Sequence, residues 1–159
     1  MNIIDLVKSL PKEWVVFILS AIPIVEVRGA VPLGIYMGLA PIKTYVLAVL
    51  GSIVPVIPLI FFLAFFTEQL RKINIFDKFF EWLFTRTRKR SKVIEELEIL
   101  GLLIFVAIPF PGTGVWTGCL AAYLFGLSYM KTFIACFFGT AIASLIMLLG
   151  SMGIVKIFF

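Results

Sequence analysis

The chain has 159 residues, of which 62% are apolar and only 14% charged, with a net charge of +5 and no histidine. A soluble domain carries about a quarter charged residues, and a globule of this size leaves too much surface exposed to hide so many apolar side chains. The composition therefore excludes an ordinary soluble enzyme and a disordered regulator, and the missing histidine excludes a Ser-His-Asp triad and a histidine-ligated metal.

What remains is an all-α integral membrane protein forming one unit over residues 1–159. In such a protein the positive charge sets orientation and contacts anionic lipid, and no nucleic-acid partner is expected. The first apolar stretch, Trp14 to Val25, follows Lys8 and Lys12 like the core of a secretion signal. Asp5 and Glu13 interrupt the basic flank and no small-x-small cleavage site follows, so the segment reads as mature structure.

That stretch is broken. Trp14–Val25 leads into Glu26-Val-Arg-Gly29, and Ala30–Leu39 resumes the apolar run. Glu26 and Arg28 are the only charges between Trp14 and Pro41. Ionised groups inside a bilayer cost at least ~2.5 kcal/mol each unless they face a cavity or one another. At i, i+2 on a regular helix they point to different sides, so they pair within the segment only if the backbone unwinds. They read as a substrate or ion site, or as a structural ion pair at a hairpin tip. Next, Tyr45 to Phe66 is long enough to cross a bilayer and is expected to kink at Pro55 and Pro58.

The polar segment 67–98 holds eight basic and six acidic residues. Ile73, Phe76, Phe79/Phe80 and Leu83/Phe84 recur at helical spacing, which predicts an amphipathic connector helix in the headgroup region. After it comes a second broken stretch: Leu100–Ile108, then Pro109-Phe-Pro-Gly-Thr-Gly114, then Val115–Leu127. Gly112 and Gly114 permit unusual backbone, and Pro109 and Pro111 lack N–H donors, so free backbone groups here are offered to a ligand. Helices starting near Val31 and Val115 would aim positive dipole ends at this region. With Arg28 that favours an anionic group, whereas Glu26 favours a cation or a carried proton. Thr113 adds a hydroxyl and Trp116 an aromatic face. A final crossing spans Thr132 to Val155. Cys119 and Cys136 lie apart in apolar runs and read as packing residues; no metal, cofactor or catalytic group is expected.

The halves repeat. Ala21-Ile22-Pro23 recurs as Ala107-Ile108-Pro109, and beyond the break Gly38-Leu39, Lys43-Thr44 and Gly51 recur as Gly126-Leu127, Lys131-Thr132 and Gly139. A ladder of Ala30, Gly34 and Gly38 corresponds to Gly118, Ala122 and Gly126 and is expected to serve helix packing or a dimer contact. Each broken pair is either a re-entrant hairpin or one broken crossing. The hairpin gives two inverted repeats, 12–66 and 99–157, each a re-entrant pair plus one transmembrane helix, joined by the connector 67–98. Two crossings are too few to enclose a polar path, so a homodimer is expected. Lysine and arginine placement then makes the connector cytoplasmic, in what reads as the plasma membrane of a prokaryote.

The segment Glu26-Val-Arg-Gly-Ala-Val-Pro32-Leu-Gly34, together with Pro109-Phe-Pro-Gly-Thr-Gly114, resembles the putative small multidrug export protein family over nearly the whole chain. That resemblance implies efflux of small molecules. More distantly, the paired broken arms resemble the DedA/VTT membrane superfamily, whose members move lipids and lipid phosphates. There, acidic and arginine residues at hairpin tips are functional, which the resemblance transfers to Glu26 and Arg28; the second break departs from the pattern, since Gly112-Thr-Gly114 carries no arginine. The candidate binding set is Glu26, Arg28, Gly29, Pro32, Pro109, Pro111, Gly112, Thr113, Gly114 and Trp116. Three functions remain open: a secondary transporter, a lipid flippase or scramblase, and a non-transporting structural membrane protein.

Overall fold

The computed structural model describes residues 10–70, 72, 78 and 92–158. Among them every regular element is helical. In chain order these are α1 (Lys12–Ala21), α2 (Glu26–Tyr36), α3 (Pro41–Ile53), α4 (Val56–Leu70), α5 (Lys92–Ala107), α6 (Val115–Leu124) and α7 (Tyr129–Phe158). The amphipathic helix expected between Ile73 and Phe84 lies outside the described residues.

Two apolar rods are long enough to cross a membrane: α3 with α4, over Pro41–Gln69, and α7 over Tyr129–Gly153. The first is interrupted at Val54-Pro55, where Pro55 has no N–H to continue the ladder. The second is one uninterrupted helix and starts at Tyr129, three residues before the expected Thr132.

α1 and α2 form a helical hairpin. Lys12, at the start of α1, donates its ammonium to the Met37 carbonyl at the end of α2. The Glu13 carboxylate accepts from Lys43 at the start of α3, 2.6 Å away. The base of this hairpin and the start of the first rod therefore share one end of the molecule. α5 and α6 form the second hairpin, with Gly118 of α6 tight against Val106 of α5.

Local geometry recurs between the halves at the spacing of the sequence repeat. Gly38 (φ 78°) and Gly126 (φ 70°) both turn left-handed to end α2 and α6, with Leu39 N–H reaching Gly34 O and Leu127 N–H reaching Ala122 O, each at 3.0 Å. This ends α2 and α6 about three residues earlier than their apolar runs suggest. Gly51 lies on the Phe17 carbonyl of α1 and Gly139 on the Leu103 carbonyl of α5; either Cβ would collide with backbone.

There are two cores. One joins Val56 and Ile60 of α4 to Leu102 and Val106 of α5, Val115 and Cys119 of α6, and Ala135 and Cys136 in the first half of α7. The other joins Val16 of α1 to Val27 and Val31 of α2, Ala48 of α3, and Ala143 and Leu148 in the second half of α7. Each rod thus contributes one half to each core. Outside, Ile42, Val46, Leu50, Val54, Ile57, Phe61 and Phe65 expose one continuous apolar stripe along the first rod. A stripe this long is unfavourable in water and suits a hydrocarbon surround.

One expectation needs correction. The first break is Ile22–Val25, not Glu26–Gly29: Glu26 N–H already bonds Ile22 O and Gly29 N–H bonds Val25 O, so the ladder is running there and α2 starts at Glu26 rather than near Val31. α4 extends to Leu70 and α5 begins at Lys92, so both helices reach into the polar segment 67–98, and that arm has 16 residues. Of the small-residue ladder, Ala30, Gly34, Gly118 and Ala122 are buried between neighbouring helices, with Gly34 against Thr44 and Val16, whereas Gly38 and Gly126 are exposed in the turns that end α2 and α6.

Candidate substrate site at the hairpin tips

The two hairpin tips meet where the two cores join. Ser52 on the first rod and Thr140 on the second lie beside this junction, both within about 5 Å of their rod's midpoint by helical rise.

Glu26 is held by conformation as well as by contacts. It is the only described non-glycine residue with left-handed backbone, φ 47°. For a residue with a side chain that costs roughly 1–2 kcal/mol, so surrounding contacts must hold it in place. The unusual backbone lets two residues at i, i+2 face each other. Arg28 Nη1 sits 3.3 Å from Glu26 Oε2, and Glu26 is 4% exposed. The pairing expected only on irregular backbone is present, and the irregularity is at Glu26 itself.

Three polar links join the tips. The Glu26 carboxylate lies against the start of α6, close over Gly114 and by the backbone N–H groups of Val115 and Trp116, the first free donors of that helix. Arg28 Nη2 donates to Thr113 Oγ1 at 3.3 Å. Trp116 Nε1 donates to the Ala21 carbonyl at the end of α1, at 3.2 Å. Thr113 is in turn fixed across its own loop, donating to the Ile108 carbonyl at 2.6 Å. Gly114 lies directly under the Glu26 carboxylate, with no room for a Cβ. Its glycine is thus required by close approach, whereas Gly112, at φ 91°, is required by its turn.

Two spaces adjoin the pair. An open cleft of about 590 Å³ runs between the tips, lined by Pro23, Ile24, Val25, Arg28, Gly29, Pro111 and Gly112. Arg28 is its only charged wall residue. A second cavity, of about 10 Å³, lies behind the pair against Ser52, Gly114, Thr140 and Ala143.

The structure therefore gathers Glu26, Arg28, Thr113, Gly114 and Trp116 into one contact set, and places Gly29, Pro111 and Gly112 on the cleft wall. Pro32 lies inside α2 and Pro109 at the end of α5; neither lines either space. Ser52 and Thr140 were missed. Their signal is in the repeat, since each directly follows a repeated glycine, Gly51 or Gly139, within an otherwise apolar run. Among the described residues no group of three or more acidic, cysteine or histidine side chains could hold a metal.

A family model described as "Putative small multi-drug export protein" matches residues 26–146, a span that opens on Glu26, just after the first tip, and takes in the second. No curated protein and no solved structure matches the chain.

Proposed function

The chain belongs to the putative small multi-drug export protein family, and from that premise we propose that it is a secondary transporter that moves a small solute through the paired hairpin tips. The family and the two apolar rods make it a membrane protein, and a transporter rather than an enzyme. The observation that carries the finer reading is the buried Glu26–Arg28 pair bridging both tips near the middle of both rods.

In this reading the hairpins are re-entrant, turning at mid-bilayer, and the halves are inverted repeats. The exchange of half-rods between the two cores supports this, as do the recurring Gly38/Gly126 and Gly51/Gly139 contacts. Broken helices at equivalent positions of inverted repeats are a common way to build a transport site at the midplane. A homodimer in a prokaryotic plasma membrane, with the polar segment cytoplasmic, completes the arrangement. Its contact would fall on the exposed outer faces, because Ala30, Gly34, Gly118 and Ala122 are buried within the chain.

The mechanism follows from what holds the tips together. Glu26 occupies the N-terminus of α6, where helix N–H groups and the local dipole favour an anion. Protonation of Glu26 weakens its hold on Arg28 and on α6 and frees both for a solute's anionic group. Loss of that proton restores the closed arrangement and expels the solute. Because the solute anion binds only while Glu26 carries the proton, the two move together, which couples the two gradients without ATP. The cleft beside Arg28 supports a second reading, in which a lipid or lipid phosphate enters sideways and is flipped.

The test is flux in proteoliposomes under an imposed proton gradient, using a panel of radiolabelled organic anions and cations alongside a fluorescent-lipid translocation assay. Gradient-dependent solute flux that is lost in Glu26→Gln supports the transporter. Lipid movement without solute flux replaces it with the flippase. Neither activity, with native stability, leaves a structural membrane protein.

A further inference from the structure

We propose that Thr140 of α7, with Ser52 of α3, holds a buried water that, together with Ser144 one turn further along α7, relays protons to and from Glu26. The inference rests on the proton-coupled reading above and extends it to residues outside the tips.

It begins from how this chain treats hydroxyls on its helices. A helical Ser or Thr ordinarily returns its proton to a carbonyl of the preceding turn. Thr44 does so to Ala40, Thr132 to Ser128 and Ser151 to Met147. Thr140 and Ser144 do not. Both are buried, at 1% and 0% exposure, and neither hydroxyl has a partner. The third such buried polar atom among the described residues is Nε of Arg28. Unmet polar groups in an apolar interior are costly, and Arg28 and Thr140 line one cavity, so they point to a shared ligand.

The 10 Å³ cavity touches Arg28, Thr140, Ser52 and Glu26 together. That space suits one water with several polar neighbours, and nothing larger. Water also fits the chemistry. Arg28 Nε is a donor only, Glu26 an acceptor when ionised, and the Thr140 hydroxyl both, while Ser52, whose proton goes to the Ser20 carbonyl at 2.9 Å, can accept. One water can accept from Arg28 Nε and from a hydroxyl while donating to the carboxylate. A bare cation would face the guanidinium at close range, and an anion would face the carboxylate. The nearest thiols, Cys119 and Cys136, face one another 4.0 Å apart in the other core and do not line this cavity.

Ser144 stands one turn beyond Thr140, and Ser151 two turns further, on the stretch of α7 that packs against the first hairpin. The row leads from Glu26 toward the end of the molecule that holds Lys12 and Met37. Leu148, with Met147 and Met152 beside it, fills the gap before Ser151, so the path is closed in this conformation. In the relay step one O–H bond of the water breaks as one forms on a Glu26 oxygen, while the water takes the Thr140 proton and Thr140 takes one from the next hydroxyl. The carboxylate gains a proton, the water and hydroxyls stay neutral throughout, and the proton that replenishes the row comes from bulk water when the Leu148 end opens.

The experiment is hydrogen–deuterium exchange of the Glu26 carboxyl, followed by infrared spectroscopy on the full chain in liposomes. The band is assigned by its disappearance in Glu26→Gln. Thr140→Val should slow the exchange about tenfold, equivalent to ~1.4 kcal/mol on the barrier, and Thr140→Ser should restore it. Ser144→Ala, a milder change, should slow it as well, which covers the case of a Thr140→Val protein that does not fold. Exchange within about twofold of wild type in the folded variants overturns the relay while leaving solute flux through the tips intact. Absence of a Glu26 carboxyl band at every pH overturns the relay and the proton-coupled reading together.

Discussion

Gly114→Ala adds one methyl group and tests whether the tips are coupled through Glu26. An ideal Cβ at this position would lie 2.6 Å from the Glu26 Cδ and closer still to Oε2, whereas real Cβ contacts do not fall below 3.0 Å. The backbone at Gly114 is extended, with φ −175°, so alanine brings no conformational strain. Nor is the collision with rigid backbone, since the carboxylate ends a flexible side chain. The cost is what the carboxylate abandons as it swings away: the N–H groups of Val115 and Trp116 and its contact with Arg28. Hydrogen bonds to a charged group contribute about 1.5–3 kcal/mol each, and only part is recovered elsewhere, so a loss of roughly 2–4 kcal/mol is expected. Urea- or heat-induced unfolding in detergent measures it. The decisive comparison is a double-mutant cycle. In a Glu26→Ala background no carboxylate is left to displace, so Gly114→Ala should cost under about 0.5 kcal/mol, a coupling of ~2 kcal/mol or more. If the methyl costs the same in both backgrounds, its effect comes from elsewhere in the tip and the proposed contact is wrong.

Further predictions bear on neighbouring contacts. Trp116→Phe keeps the ring but removes the donor to Ala21, and should lower stability by about 1 kcal/mol in the same unfolding assay. Arg28→Lys keeps the charge yet cannot serve Glu26 and Thr113 together, so solute flux in proteoliposomes should fall about tenfold or more although the protein folds. Gly51→Ala and Gly139→Ala should each destabilise by roughly 1–3 kcal/mol, because each methyl meets a carbonyl of the opposing arm. Gly101→Ala and Gly150→Ala, in open helix, should instead stabilise by about 0.5–1 kcal/mol. The Cys119 and Cys136 sulfurs lie 4.0 Å apart. Oxidation should therefore protect both from maleimide after denaturation, and replacing either cysteine should abolish that protection.

Much of this arrangement is written locally in the chain. Gly38 and Gly126 mark helix ends because only a left-handed residue closes those turns, and Pro55 marks the interruption in the first rod because its missing N–H is a local property. The isolated Glu26 and Arg28 mark a site because bilayer burial makes lone charges expensive. The limits of the first break were misplaced for a related reason. Charge and glycine suggested an unwound Glu26–Gly29, yet one strained residue accommodates the pair and the helical ladder continues beneath it. What the chain does not spell out is long-range: that Glu26 reaches the start of α6, that Trp116 reaches Ala21, and that each rod serves both cores. These depend on how separate helices pack, and uniformly apolar faces carry little register information. Ser52 and Thr140 are visible in hindsight only because the repeat places them in equivalent positions.

The central claim is that both tips lie at mid-bilayer depth beside water. Spin labels at Ile24→Cys and Phe110→Cys, with Cys119 and Cys136 replaced by alanine, test it directly, since both residues are exposed at the tips, at 89% and 65%. Power-saturation measurements in liposomes compare collision with a water-soluble nickel chelate and with oxygen. With the tips at mid-bilayer, both labels lie near the bilayer centre, and Ile24, on the cleft wall, meets the chelate far more than the outward-facing Leu50 at similar depth. Labels at headgroup depth, or a central Ile24 label that meets oxygen alone, would contradict it.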